Sequence, residues 1–208
     1  MQHAQVGTRV ILGIDPGTLR MGWGILVLEG TTVRHRAHGV LRPAARDDRP
    51  RRLGALLRGL EALMDAHRPD LVAVETAFVR RDPRAALALG EARGVALAIA
   101  AARELEIREV SPSETKRAVV GGGRATKEQV QEMVRLQLAL AEVPPEDAAD
   151  ALAAALTAAR TAALDAATLV GASRAAPRLP DPPMSMTASR AYYAQVVAAA
   201  RGTKRRKG

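Results

Sequence analysis

The sequence contains no cysteine, very few aromatic residues and few lysines. Without cysteine, the chain has neither a disulfide framework nor a thiolate zinc site. One phenylalanine, one tryptophan and two tyrosines leave the core to be filled by alanine, leucine and valine. No apolar run approaches the roughly 18 residues that span a membrane, and the N-terminal stretch MQHAQVGTR lacks the apolar region of a signal peptide. We therefore expect a cytoplasmic protein with no membrane partner.

The positive charge of the chain is unevenly distributed. The 208 residues carry a net charge of +9. From residue 171 onward there are eight Lys or Arg residues and one acid, whereas residues 1–170 hold 23 bases and 21 acids. We predict a folded domain over residues 1–170 and a flexible, basic, mostly disordered tail over residues 171–208. The basic excess favours a nucleic-acid partner.

Apolar periodicity and turn residues predict an α/β fold. Strands are predicted at residues 9–15, 20–28, 31–42, 70–75 and 105–110. Helices are predicted at residues 50–67, 83–103, 112–120, 126–141 and 144–170. The first three strands are separated by short turns, which favours an antiparallel meander. The whole pattern indicates a mixed sheet of about five strands flanked by helices.

Four acidic residues lie at the ends of apolar elements. Asp15 and Glu75 each end an apolar strand, and neighbouring strands would bring both carboxylates to one edge of the sheet. Asp147 and Asp150 are three residues apart on the last helix and so share a face. Each acid alone could be a turn residue, a helix cap or a first-turn acid. Together they predict a site for two Mg²⁺ or Mn²⁺ ions, because buried carboxylates need neutralising cations and paired ions catalyse phosphoryl transfer.

Five blocks of sequence occur in a fixed order over about residues 9–160: GIDPGTLRMGWG, AVETAFV, ALGEARGVALA, SETKRAVVGGGRATKEQVQEMV and DAADALAAAL. Together they resemble the RuvC family of Holliday junction resolvases. The resemblance implies an RNase H-like fold, with metal ligands at Asp15, Glu75, Asp147 and Asp150. It implies a homodimer that cuts two opposed strands of four-way junction DNA with Mg²⁺ or Mn²⁺, two ions per active site. The expected ends are 5′-phosphate and 3′-hydroxyl, and the expected context is homologous recombination and DNA repair beside the branch-migration complex of RuvA and RuvB.

Lysine is rare, and only two of the four lysines precede the tail. The chain has 27 arginines, yet Lys116 and Lys127 are the only lysines before residue 171. The resemblance assigns both of them to catalysis and to DNA binding near the scissile phosphate, where a compact ammonium behaves differently from a planar guanidinium. The alternative is that both are solvated cations on helix surfaces.

An aromatic residue and two arginines follow the second acidic strand. Phe78, Arg80 and Arg81 come shortly after Glu75, an arrangement that suits stacking on an unpaired base while the arginines hold the backbone. The resemblance also implies an aromatic contact with the opened junction at this place. We therefore assign these three residues to DNA binding, with a core phenylalanine as the alternative for Phe78.

Two glycines on the predicted helix 83–103 suggest a close helix contact. Gly90 and Gly94 are one helical turn apart, so the helix could approach either its own copy across a two-fold axis or the sheet.

Two other classes of function stay open on the sequence. An ATP-binding protein of the actin, sugar-kinase and Hsp70 type also begins with a strand followed by Asp, Gly and Thr. It needs a second domain, for which 208 residues are too few. A non-catalytic junction-binding module would not need the complete acid set that this chain carries. The sequence thus favours an endonuclease.

Overall fold

The computed structural model describes residues 7–76, 82–121 and 125–172, with side chains described up to residue 166. The chain divides into two compact units, Met1–Ala166 and Ala167–Gly208. Of the second unit, only the last residues of a helix are described. The predicted tail, residues 171–208, lies almost wholly outside the described residues, and its disorder stays a prediction.

Five strands form one mixed sheet in the order β3-β2-β1-β4-β5. The strands are β1 (Arg9–Asp15), β2 (Met21–Glu29), β3 (Thr32–Leu41), β4 (Leu71–Glu75) and β5 (Glu106–Val110). The first three form the expected antiparallel meander. β4 pairs in parallel with β1, and β5 pairs in parallel with β4. The predicted fold class is confirmed.

Helices pack against both faces of the sheet. They are α1 (Arg49–His67), α2 (Pro83–Ala102), α3 (Pro112–Val120), α4 (Lys127–Gln137) and α5 (Glu146–Ala172). Successive strand residues point to opposite faces, so Leu12 and Ile14 pack in the cluster of α1 and α2, whereas Ile11 packs in the cluster of α3, α4 and α5. The core is therefore divided by the sheet into two layers.

Helix α4 ends before the predicted limit of residue 141. Ala139 takes the left-handed conformation, with φ at 50°, and the N–H of Leu140 donates to the carbonyl of Arg135 at 2.9 Å. This closes the helix without the glycine or proline that marks most helix ends in a sequence.

Glycines in β1 and β2 let α5 lie directly on the sheet. A Cβ atom on Gly13 would lie 2.0 Å from the carbonyl oxygen of Ala151, and one on Gly22 would lie 1.8 Å from that of Asp147. Any larger residue would push the helix away. These close approaches place the first turns of α5 beside the end of β1.

By length and mean hydropathy alone, α2 could cross a membrane, since an 18-residue window of it averages 1.5. Its residues Ala92, Ala96, Ile99 and Ala100 are buried in the core layer that α2 shares with α1. Part of this apolar composition thus serves packing within the fold.

Candidate active site

The first two predicted acids leave the sheet side by side. β1 and β4 are parallel neighbours in which Ile14 lies opposite Val74, so Asp15 and Glu75 are the next residues on adjacent strands. Their side chains are hydrogen-bonded to each other. Two rigid strand ends therefore deliver two carboxyl groups to one point.

Asp15 and Glu75 line a cavity of about 340 Å³, which is enclosed by β1, β4, α3, α4 and α5. The sheet contributes two acids to the lining, α5 contributes a third, and α3 and α4 contribute one lysine each. The lining residues are Asp15, Glu75, Pro112, Thr115, Lys116, Lys127, Val130 and Asp150. Five of the six residues predicted to be catalytic thus share one cavity.

The sixth residue, Asp147, is held beside the cavity by an arginine. The Nε and Nη2 atoms of Arg20 each lie 2.6 Å from Oδ2 of Asp147. The charge of Asp147 still contributes to raising the pKa of Asp15, so the two carboxyl groups interact electrostatically. Arg20 was not among the predicted site residues, although a cation in the turn between β1 and β2, five residues after Asp15, was a usable signal.

The three carboxyl groups of the cavity resist ionisation. Burial, followed by the charges of Glu75, Asp150 and Asp147, raises the pKa of Asp15 to about 8. Burial and the charge of Asp150 raise the pKa of Glu75 to about 7, against the opposing effects of its hydrogen bond with Asp15 and the charge of Lys127. Burial also raises the pKa of Asp150. Near neutral pH the hydrogen-bonded Asp15–Glu75 pair therefore retains a proton. A metal cation could displace this proton and bind the same oxygens.

Both lysines are anchored by the loops and helices around the cavity. The Nζ atom of Lys116 donates to the carbonyl of Ala125 at 2.9 Å. The Nζ atom of Lys127 donates to Oε1 of Glu146, which raises the pKa of Lys127. Glu146 is a further residue that sequence analysis missed, and its position directly before Asp147 was the only available signal.

Capping boxes fix where the two helices that carry these lysines start. Ser111 with Glu114 caps α3, and Thr126 with Gln129 caps α4, each by reciprocal hydrogen bonds between side chain and backbone. The caps thus fix the helix starts from which Lys116 and Lys127 project.

One residue that lines the cavity, Thr115, has a buried hydroxyl without a hydrogen-bond partner among the described residues. Across the part of the chain that the structure describes, the hydroxyl of Thr115 is among the few buried side-chain groups without a hydrogen-bond partner. Such groups are costly in a folded protein unless something else completes them.

Three of the predicted DNA-contacting residues and a preformed metal site are not found in the part of the chain that the structure describes. Phe78, Arg80 and Arg81 lie outside them, so their assignment to DNA stays a prediction. Within residues 7–76, 82–121 and 125–166, no three acidic or histidine side chains are already gathered tightly enough to hold one ion. The cavity of Asp15, Glu75 and Asp150 would have to contract around a metal.

A five-stranded mixed sheet with acids at the ends of adjacent parallel strands, and a further acid on the helix packed across them, defines a protein of the RNase H-like class. The family described as crossover junction endodeoxyribonuclease RuvC matches residues 11–158. The chain belongs to this family and is an endodeoxyribonuclease.

Individual relatives agree with this assignment. The RuvC of Paracoccus denitrificans is 50% identical over 143 residues, which are 69% of this chain and 87% of the relative. The RuvC of Rubrobacter xylanophilus is 45% identical over 168 residues, which are 80% of this chain and 94% of the relative. The structure of T. thermophilus RuvC in complex with a Holliday junction substrate is 34% identical, with a TM-score of 0.70, over 76% of this chain and 96% of that one.

Proposed function

We propose that this protein is a cytoplasmic enzyme that resolves four-way DNA junctions by paired, symmetric phosphodiester hydrolysis, in homologous recombination and DNA repair. The observation that carries the proposal is the single cavity in which Asp15, Glu75 and Asp150 meet Lys116 and Lys127. The T. thermophilus relative bound to a Holliday junction supports a four-way junction as the substrate. The branch-migration complex of RuvA and RuvB is the expected partner.

The donor set of the cavity fits a hard divalent cation. The cavity offers carboxylate oxygens, and the sequence has no cysteine that would select a softer metal. Asp15, Glu75 and Asp150 would hold two Mg²⁺ or Mn²⁺ ions, and Asp147 would join them after leaving Arg20. Such ions supply activation of the attacking water and neutralisation of charge on the leaving oxygen.

The protein's own residues bind and orient the DNA around this site. Lys116 and Lys127 lie where they can offset the negative charge that develops on the scissile phosphate. For Lys127, this requires that DNA displace its ion pair with Glu146. We propose that Phe78, Arg80 and Arg81, which follow Glu75 in the sequence, contact the opened junction. The products would carry 5′-phosphate and 3′-hydroxyl ends.

The outer face of α2 supports a homodimer. Leu87, Gly90, Gly94 and Ala98 form an exposed apolar stripe, and a Cβ atom on either glycine would meet nothing within 4 Å. Packing within the chain thus does not require glycine there, although each glycine costs about 1 kcal/mol relative to alanine in a helix. We propose that α2 packs against its own copy, which sets two active sites about a two-fold axis.

Substituting Gly94→Glu should convert the dimer to a monomer, because two carboxylates would be buried against each other at the helix crossing. Sedimentation velocity at micromolar concentration measures this directly. Ala85→Glu is the matched control, since residue 85 is exposed and lies nine positions away, on the opposite side of the helix. A Gly94→Glu protein that sediments as a dimer, or a wild-type protein that sediments as a monomer, would contradict the proposed interface.

Cleavage of a synthetic four-way junction tests the function itself. With Mg²⁺ or Mn²⁺, we expect nicks at symmetric positions in two opposed strands, and nicked products that a DNA ligase seals. A linear duplex of the same arm sequences is the control and should stay intact. Equal cutting of the duplex, or nicks that ligase cannot seal, would refute the proposed function.

A further inference from the structure

Two histidines share one face of the edge strand β3 because the strand contains a bulge. His35 lies opposite Leu26 and His38 lies opposite Gly24, with a register shift between them. In a regular strand, residues three apart point to opposite faces. The extra residue re-aims His38 to the face of His35, and bulges that redirect side chains are common next to functional sites.

The two rings are hydrogen-bonded to each other through nitrogens that a metal ion could bridge. Nε2 of His35 lies 2.9 Å from Nδ1 of His38, and the ring centroids are 5.0 Å apart. Two imidazoles on one tetrahedral zinc ion, with bonds of about 2.0–2.1 Å, have their nitrogens roughly 3.3 Å apart. A bound ion would replace this hydrogen bond, and both rings would turn so that their lone pairs converge on it. Burial lowers the pKa of both rings, and the charge of His38 lowers that of His35 further, which favours the neutral form that binds metals.

A candidate third ligand lies across the adjacent cavity, and it would have to move towards the two rings to complete a site. His35 and His38 line a cavity of about 440 Å³ whose other wall is the connection between α4 and α5, residues 139–145. Glu142 lies on that wall, and a carboxylate commonly completes a histidine site for zinc. This cavity shares no lining residue with the cavity of Asp15, Glu75 and Asp150.

We propose that His35, His38 and Glu142 form a second metal site, for one divalent ion of the zinc class. Imidazole nitrogens favour zinc, nickel or copper, whereas the carboxylates of the nuclease site favour magnesium or manganese. The ion would tie the edge strand β3 to the segment that precedes α5, the helix carrying Asp147 and Asp150. Bound zinc would thereby stabilise the fold without entering the nuclease reaction.

Calorimetric titration of the full chain with Zn²⁺, in saturating Mg²⁺ to occupy the acidic cavity, tests this site. We expect one zinc ion per chain, with affinity reduced at least tenfold by His35→Gln and by His38→Gln. His67→Gln is the matched control, because His67 is also half-buried but packs near Trp23 instead. Glu142→Gln changes an exposed side chain, keeps the fold, and should also weaken binding. Asp15→Asn should leave zinc binding unchanged.

Cobalt gives an independent readout of the ligands. Co²⁺ bound by two imidazoles in a tetrahedral site should show visible absorption bands that disappear in His35→Gln and His38→Gln. Zinc affinity that is the same in all three variants of the site, or that is lost in Asp15→Asn, would overturn the proposal.

Discussion

Asp15→Asn should abolish junction cleavage while the protein stays folded. Asp15 hydrogen-bonds Glu75, and Asp150 and Asp147 lie close enough for their charges to raise its pKa, so it is the centre of the carboxylate set. If Asp15 holds the proposed ions, its loss would remove several kcal/mol of transition-state stabilisation, which corresponds to a rate reduction of about 10³-fold or more. Asparagine keeps the size of the side chain and a hydrogen bond to Glu75, so the fold should survive.

Single-turnover cleavage of a four-way junction in Mg²⁺ measures this loss, and Glu75→Gln should behave similarly. Asp65→Asn is the matched control, because Asp65 is exposed, pairs with Arg103 and does not line the cavity of Asp15. That control should cut at the wild-type rate. An Asp15→Asn protein that cuts within a few-fold of wild type would rule out the carboxylate site as the catalytic centre.

Thermal unfolding distinguishes a chemical effect of Asp15→Asn from a folding defect. The metal-free wild type buries several carboxyl groups together. Replacing one of them with a neutral amide should therefore give the variant a higher Tm than metal-free wild type at pH 8. Wild-type protein in Mg²⁺ should gain stability, whereas the variant should gain little. A variant with a lowered Tm would indicate that its inactivity reflects the fold.

The acidic strand ends could be predicted because their signal is local. RVILGID and DLVAVE are apolar runs that end on an acid, and the structure shows that the two strands are the parallel neighbours that this interpretation required. The capping boxes of α3 and α4 are equally local, which is why both helix starts were predicted. Local patterns of this kind therefore predict where acidic and basic site residues lie at the ends of strands and helices.

The remaining features depend on contacts between distant parts of the chain. Arg20 and Asp147 are 127 positions apart, and nothing in either segment alone indicates their ion pair. The close approach of α5 to Gly13 is likewise visible only once the helix lies on the sheet. Neither the bulged residues 35–37 of β3 nor the left-handed Ala139 is a glycine or proline, so the sequence indicated neither the bulge nor the early end of α4.

Metal affinity should fall steeply as the pH is lowered through neutrality. Burial raises the pKa of Asp15 from 3.8 to about 8 and that of Glu75 from 4.5 to about 7, so protons and cations compete for the same oxygens. Below both folded-state pKa values, binding that displaces two protons loses roughly 100-fold in apparent affinity per pH unit. Junction cleavage at fixed subsaturating Mg²⁺ should follow the same pH dependence.

The stability of the metal-free protein should fall as the pH rises, whereas its metal affinity should increase. A carboxyl group whose pKa is raised by folding contributes stability that is fully present below its unfolded pKa and is lost as the pH rises through its folded pKa. For Asp15 and Glu75, this loss extends from about pH 4 to about pH 8, and bound Mg²⁺ should reverse it. Tm measured from pH 5.5 to 8.5 with and without Mn²⁺ should therefore diverge as the pH rises. Asp15→Asn should remove most of the divergence, and a metal-induced Tm shift that is constant across this range would show that these two carboxyl groups do not hold the ions.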